Sequence, residues 1–398
     1  MFSRAEAPVG SKRTRANRVV VVIYSLAGGG AERVAIDLCR YLRDDGREVI
    51  LLTLSGDDPD VHPAPTGVRR ERMEVRRVAY SPLHTMWYFY SRIRSMRRKI
   101  RALDPDAVVS FMDLVNVWTV LCLFGTGIPV IVSERLHPAC NQISRVWKLA
   151  RRLAYPVADA VAVQTEDGAA WFRRSTWVRR AVVIPNAIRF PQDLAIGAAD
   201  SLVAPSRPLI LAVGRLTEQK GFDLLLDAFH RSGLARAGWH LAILGQGPDR
   251  SALERQAAQL GLIDAVTFPG FVGVGQWLAR ADFFVLSSRY EGFPNALMEA
   301  MQMQRACVSF DCPSGPRDLI DNNRNGLLVA PGDIDALSEA MKRLAADPVL
   351  RQRLGAEAAK VGERFSPALV YGKWLELVDA AFAGEPDALR YLARANRQ

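Results

Sequence analysis

The chain has 398 residues, 49% of them apolar and 24% charged, with a formal net charge of +10. That length is about twice a typical domain, so two cores are expected, and no apolar run nears the roughly 18–20 residues that a membrane-spanning helix needs. The basic balance comes with no recognition motif for nucleic acid, which excludes that partner class. Met1 to Asn17 carries Arg4, Lys12, Arg13 and Arg15 without the apolar stretch of a signal peptide, and residues 1–17 read as a disordered basic tail. The five cysteines, at 39, 122, 140, 307 and 312, are scattered without C-x-x-C spacing, and no histidine lies near Cys307 and Cys312 to complete a zinc site. A reduced, cytoplasmic setting is expected.

In chain order, Val19–Tyr24 is predicted as the first strand, running into Ala27-Gly28-Gly29-Gly30-Ala31-Glu32-Arg33 and an amphipathic helix through Val34, Ile36, Leu38 and Leu42. A glycine loop between strand and helix lets backbone approach a phosphate or a facing domain. It is not G-x-G-x-x-G, and no acid at a strand end suits an adenine dinucleotide, so a dehydrogenase is a poor fit. Ile50–Leu54 is the next strand. Residues 85–103 then place aromatics at 87–90 ahead of cations at 92, 94, 97, 98, 99 and 101, and basic aromatic patches recur at 145–152 and 171–180. Trp or Tyr beside Arg or Lys on a helix is the pattern of an interfacial membrane segment, the bland alternative being helices whose aromatics face their own core. Strands follow at Ala107–Phe111, Val130–Ser133 and Ala160–Gln164, with Val182–Asn186 (V-V-I-P-N) leading out. Alternation of strand and helix argues for parallel sheets. Ligands of such sheets bind beyond the strands' carboxyl ends, which makes Asp113, Asn116, Glu134, Arg135 and His137 candidate contacts. Residues 187–207, with three prolines and little pattern, are the expected crossover.

The second half is predicted to begin at Pro208, with strands at Leu209–Val213, His240–Leu244, Ala265–Phe268, Asp282–Leu286 and Ala306–Phe310. After the first comes Gly214-Arg215-Leu216-Thr217-Glu218-Gln219-Lys220-Gly221 and a helix through Phe222, Leu225, Leu226 and Phe229. Arg215 offers a planar fork for phosphate oxygens and Lys220 a compact point charge. After Leu286 comes Ser287-Ser288-Arg289-Tyr290-Glu291-Gly292-Phe293-Pro294-Asn295-Ala296-Leu297-Met298-Glu299. Glu291 falls at the strand's carboxyl end, and Glu299, eight positions on, falls inside the following helix. The helix start between them offers free N–H groups and the positive dipole end, suited to a phosphate. Two acids for hydroxyls beside cations for a diphosphate suit a sugar nucleotide. Gly245-Gln246-Gly247-Pro248 is expected near the nucleotide, and Pro269-Gly270-Phe271-Val272 at the rim for its base. Of the D-x-D strings, Asp104-Pro105-Asp106 precedes a strand, at the wrong end for ligands, Asp58-Pro59-Asp60 has the proline of a turn, and Asp333-Ile334-Asp335 opens a helix as a cap. No metal site is therefore expected.

G-R-L-x-x-x-K-G followed downstream by E-G-F-P-N-x-x-x-E resembles the donor site of retaining glycosyltransferases of family four, with the two-Rossmann-domain (GT-B) architecture. The resemblance runs from Arg18 to about Asp379. It implies an α/β fold of two Rossmann-like domains across a cleft: 18–186 on the acceptor side, 187–207 as linker, 208–366 binding the nucleotide sugar, and 367–398 carrying a helix (Pro367–Phe382) that packs back on the first domain. It implies further that Glu291 and the backbone at Gly292, Phe293 and Pro294 hold the donor sugar, with Asn295 beside them. Glu299 then binds the ribose, Arg215 and Lys220 behind Gly214 grip the diphosphate, and Gly29 and Gly30 face the donor across the cleft. The strand-end residues 113, 116, 134, 135 and 137 become acceptor contacts, with His137 nearest to a cleft histidine found in many relatives. Cys312-Pro313-Ser314-Gly315-Pro316-Arg317 resembles a branch that adds hexose or N-acetylhexosamine to polyprenyl-diphosphate-linked glycans. The implied protein has no cofactor beyond its donor, a UDP-sugar or otherwise a GDP-sugar. It transfers with retention and without metal, at the inner face of the plasma membrane. The alternatives are GDP-mannose-dependent mannosyl transfer, a nucleotide-sugar-binding protein without turnover, and a hydrolysing epimerase on the same architecture.

Overall fold

The computed structural model describes residues 14–27, 29–55, 60, 63–73, 82–140, 143–188 and 207–394, of which 82–89, 390, 391 and 394 by backbone only. The basic tail up to Arg13, Gly28, Asp58 and Pro59, the side chains of Trp87 to Phe89 and most of the crossover lie outside the described residues.

The first half alternates β1 (Arg18–Ile23), α1 (Gly30–Asp44), β2 (Glu48–Thr53), β3 (Arg69–Arg72), α2 (Pro82–Ala102), β4 (Ala107–Phe111), α3 (Asp113–Leu123), β5 (Val130–Ser133), α4 (Arg145–Ala154), β6 (Ala160–Val163), α5 (Glu166–Ser175) and β7 (Ala181–Val183). All strand pairs are parallel, in the order β3-β2-β1-β4-β5-β6-β7. The run Val19–Ile23 is apolar at every position because helices cover both faces of the sheet. Val19, Val21 and Ile23 join the core beneath α1, while Val20 and Val22 join the one beneath α2 and α3. β3 is an edge strand of sequence R-R-E-R, half exposed, that pattern reading passes over. It pairs on one side only, and charge is tolerated and even useful at such an edge.

The second half runs β8 (Leu209–Val213), α6 (Phe222–Ser232), β9 (His240–Leu244), α7 (Arg250–Gln259), β10 (Val266–Gly270), α8 (Val274–Arg280), β11 (Phe283–Leu286), α9 (Asn295–Gln302), β12 (Ala306–Phe310), α10 (Pro316–Leu319), β13 (Leu327–Val329), α11 (Ile334–Ala346), α12 (Pro348–Ala358) and α13 (Val361–Arg364). Its sheet is again parallel, in the order β10-β9-β8-β11-β12-β13. The order reverses between β8 and β11, and a crevice opens at such a switch point beyond the strand ends. In the first sheet the reversal lies between β1 and β4.

α14 (Pro367–Ala383) and α15 (Pro386–Arg394) return to the first half. Ser366 caps α14 by accepting from Leu369 N, and Gly384 ends it with φ +65°. Val370, Tyr371, Trp374, Leu377 and Val378 complete the core beneath α1, Tyr371 stacks on Tyr41 at 4.2 Å, and Arg47 forks onto Asp379 at 2.7 and 2.9 Å. At the crossover Ile188 N donates to Phe365 O at 2.8 Å, tying the outgoing and returning connections together. Trp374 is fully buried, 6.0 Å from Phe111 between ring centroids. Trp374→Ala is expected to cost about 3–5 kcal/mol, read by urea denaturation of the first-domain core.

Candidate active site

On the second domain the site is built from the loops after β8 and β11, brought side by side by the strand-order reversal. Their approach requires glycine. Gly221 holds φ +61°, and a Cβ there would stand 2.1 Å from Ser287 O; the loop after β9 meets the β8 loop as closely, a Cβ at Gly245 standing 1.9 Å from Gly214 O. Gln219 Nε2 donates to Tyr290 O, and Arg289 forks onto Asp223. In this frame Lys220 Nζ lies 2.5 Å from Glu291 Oε1, which also accepts from Ser288 Oγ at 2.6 Å. Glu291 and Glu299 are both buried, Glu299 on the face of α9 turned inward. Burying a carboxylate costs free energy unless charge and hydrogen bonds offset it, and at Glu291 the ammonium and hydroxyl do so. Arg215 is exposed on the same loop, above Gly214, whose own missing side chain leaves room for the Lys220 stem. Gly292, Phe293 and Pro294 lead into α9, of which Asn295 is the first residue. Phe271 stands exposed at the rim and Val272 is partly buried below it.

On the first domain, Asp113 begins α3 after Met112, a non-glycine residue at φ +75°. Asn116 is wholly buried. Its Nδ2 donates to Ser133 O and Tyr155 Oη, and its Oδ1 accepts from Ser110. It therefore supports the strand ends from beneath, a different place from the exposed acceptor contact expected of it. Tyr155 in turn donates to Glu134 Oε1 at 2.5 Å. Burial pushes the Glu134 carboxyl up to about 7, with Arg151 at 3.8 Å opposing the shift and Asp113 reinforcing it. Arg135 is buried with neutral partners, Asn186 Oδ1 and Ser133 Oγ, and burial pulls its guanidinium down to about 10, so it stays charged at neutral pH. His137 Nε2 lies 3.1 Å from Asp167 Oδ2, and burial lowers the ring's proton affinity against that carboxylate's pull.

The two halves meet across the cleft at small polar contacts. A Cβ on Gly292 would stand 2.2 Å from Arg135 O and 2.4 Å from Gln164 Oε1, so only glycine fits there. Asn186 Nδ2 donates to Asn295 Oδ1 at 2.5 Å. Thr165 Oγ1 lies 2.9 Å from Ser314 Oγ, which donates to Gly292 O at 3.0 Å. Gly30 packs within 3.2 Å of Asn295 Nδ2, measured from the Cβ it lacks. A small cleft pocket is lined by Glu134, His137, Gln164, Thr165, Gly292 and Ser314 among others.

The structure thus gathers Lys220, Glu291, Gly292, Asn295, Gly30 and Arg135 around one crevice, with Glu134 and His137 beside it. Gln164 and Ser288 also belong here and had no role assigned from sequence, and so does Asn186, expected only as part of the V-I-P-N segment that resembles the family's interdomain hinge. Gln164 sits at the end of β6, where the strand-end rule that picked out Glu134 applies equally. Tyr155 and Arg151 carried no local signal, since only the packing of α4 brings them to Glu134. Of the D-x-D carboxylates, Asp106 accepts from Asn17 N and Arg18 N, Asp60 pairs with Arg70 and Arg72, and Asp333 caps α11.

Glu134 is expected to leave a pH signature. Its folded-state value lies above its ordinary 4.5, so its contribution to stability is fully present below about 4.5 and is lost as pH rises to about 7. The stability difference between wild type and Glu134→Gln should therefore change across that window and be flat outside it, as measured by melting at a series of pH values.

Two family models match the chain: "Glycosyl transferase 4-like domain" over residues 29–187 and "Glycosyl transferases group 1" over 198–361. Among curated proteins, an undecaprenol-diphosphate glycan α-1,4-N-acetyl-D-galactosaminyltransferase of Campylobacter jejuni is 25% identical over 363 residues, covering 91% of this chain and 98% of that protein. The lipopolysaccharide core biosynthesis glycosyltransferase LpsE of Rhizobium meliloti is 30% identical over 241 residues, covering 60% of this chain and 69% of that one. Among solved structures, Anabaena HepE in complex with UDP superposes with a TM-score of 0.71 at 19% identity, covering 90% of this chain and 98% of that one. Two parallel sheets facing across a cleft, a helix crossing back, and matches to both halves agree: the chain belongs to the GT-B glycosyltransferases of the group 1, family-four type.

Proposed function

We propose that this glycosyltransferase moves a hexose or N-acetylhexosamine from a UDP-sugar to a polyprenyl-diphosphate-linked glycan, with retention of configuration and without a metal ion. The observation that carries the reading is the Lys220–Glu291–Ser288 cluster at the β8/β11 switch point, beside the N-terminus of α9. Lys220 and Ser288 both engage Oε1 of Glu291, so Oε2 is the oxygen offered to sugar hydroxyls. Arg215, Lys220 and the α9 N-terminus supply positive charge for a diphosphate, the role a divalent ion would otherwise fill. Glu299, a turn further along α9, suits the ribose hydroxyls. The Campylobacter relative's undecaprenol-diphosphate acceptor and the UDP held by HepE support the choice of acceptor and donor.

Retention is what the resemblance to the family implies, and the carboxylate geometry bears only on its route. A double displacement needs a carboxylate beneath the anomeric carbon, and Glu291 is engaged with Lys220 and Ser288. We therefore favour attack by the acceptor hydroxyl on the face the nucleotide leaves. The new C–O bond forms as the bond from the anomeric carbon to the phosphate oxygen breaks, and the hydroxyl proton passes to that oxygen. An α-linked donor gives an α-glycoside and UDP. Charge on the departing diphosphate is stabilised by Lys220 and Arg215.

The acceptor's lipid requires a membrane-facing surface, and α4 supplies one. Val146, Leu149 and Leu153, spaced along one face, are 75%, 58% and 55% exposed, with Trp177 nearby at 62%; Arg145, Lys148 and Arg152 are exposed between them. Basic residues at such a surface contribute about 1 kcal/mol each toward anionic lipid. The stretch 85–103 is turned differently: Met96, Ile100 and Leu103 are buried in the first domain, Arg92 lies over Trp118 and Lys99 pairs with Glu71. No helix among the described residues is long and apolar enough to cross a membrane.

Thermal shift against UDP-, GDP- and dTDP-sugars in EDTA tests the donor, since a ligand of the folded state raises stability by RT ln(1 + [L]/Kd). UDP-sugars should raise the melting temperature, and silence from all three nucleotides would overturn the reading. Lys220→Ala should lose roughly 2–4 kcal/mol of transition-state stabilisation, and Glu299→Ala should weaken donor binding more than it slows transfer; wild-type rates in both would refute the donor site. Replacing Val146, Leu149 and Leu153 with Ser should release the protein from anionic vesicles in a flotation assay, and unchanged binding would exclude α4 as the docking face.

A further inference from the structure

The polar contacts behind the crevice have a direction, and one residue sets it. Arg135 can only donate. The atom of Asn186 facing its guanidinium is therefore the carbonyl oxygen Oδ1, which also accepts from Gln164 Nε2 at 2.9 Å. With Oδ1 so held, the Asn186 amide must present its –NH2 on the other side, where it donates to Asn295 Oδ1 at 2.5 Å across the cleft. The Asn295 amide is then fixed in turn, with its –NH2 toward Gly30 of the glycine loop. Gln164, having used its nitrogen on Asn186, turns Oε1 toward Gly292; this oxygen is buried and has no hydrogen-bond partner. Asn186 is 3% exposed and stands in the V-I-P-N segment at the end of the first domain. If it were merely a hinge filler, its orientation would not matter to catalysis. Yet an uncompensated buried cation is costly, and here Arg135 is satisfied by an amide where a carboxylate would serve stability better.

We propose that Asn186 is a positioning residue for sugar transfer: anchored by Arg135, it holds the Asn295 amide so that a hydrogen-bond donor faces the glycine loop at the mouth of the donor site. The assignment rests on the donor-site reading above. Ligands on that face would be acceptors, the diphosphate oxygens or hydroxyl oxygens of the nucleotide sugar, while Gln164 Oε1 awaits a hydroxyl donor beside Gly292.

Asn186→Asp separates positioning from packing. The carboxylate keeps the shape, still accepts from Gln164 and gives Arg135 a counter-charge, but has no –NH2 for Asn295. Asn295 would turn to donate to it and present an oxygen to the glycine loop. The variant is expected to melt at or above the wild-type temperature while its kcat/KM for transfer falls on the order of tenfold or more. In an Asn295→Ala background the same substitution should cost less than about threefold, because the residue it acts through is gone. Wild-type kcat/KM in Asn186→Asp, an undiminished loss in the Asn295→Ala background, or a loss that tracks a lowered melting temperature would each overturn the inference. A wild-type protein that transfers sugar from no nucleotide donor would overturn the proposed function and this inference together; an active wild type with an equally active Asn186→Asp overturns this inference alone.

Discussion

Reversal of strand order between β8 and β11 is the constraint on which the rest depends. Parallel strands that fan out in opposite directions from a common pair leave their following loops side by side, with no helix between them. Here that places Lys220, at the end of one loop, against Glu291, at the end of the other, and opens the N-terminus of α9 to the same space. The approach is close enough that Gly221 cannot bear a side chain without striking Ser287 O.

Three buried charges then divide the cleft. Glu291 is met by an ammonium and a hydroxyl, both on Oε1. At Glu134 burial outweighs the opposing Arg151 charge at 3.8 Å and the weaker help of the Tyr155 phenol, and its proton affinity rises to about 7. Among the described residues Arg135 meets the amide and hydroxyl oxygens of Asn186 and Ser133, with the Phe111 ring 5.7 Å away. What offsets burial at each position depends on which partner the neighbouring elements bring within reach.

The cross-cleft contacts bear on how the enzyme would work. They are short-range, polar and few: Asn186 to Asn295, Thr165 to Ser314, and the Gly292 backbone against Arg135. Contacts of this kind break and re-form at modest cost, unlike a shared apolar core, while α14 and the Ile188–Phe365 bond keep the halves in register at the far end.

Much of this was legible from local pattern. The runs at Val19–Ile23, Leu209–Val213 and Ala306–Phe310, five residues each, are short, largely apolar and bounded by turn signals, as strands covered on both faces are, and G-R-L-x-x-x-K-G with E-G-F-P-N-x-x-x-E marked the loops that meet at the switch point through residues close in sequence to their strand ends. The edge strand R-R-E-R was not legible, since an edge needs no apolar pattern. Nor were the partners of Glu134, or the direction of the Arg135–Asn186–Asn295 chain, whose members lie on three different segments of two domains. Residue type and spacing determined which groups could reach the crevice; tertiary packing alone decided which face each other, which are desolvated, and hence which carry charge and which way each amide points.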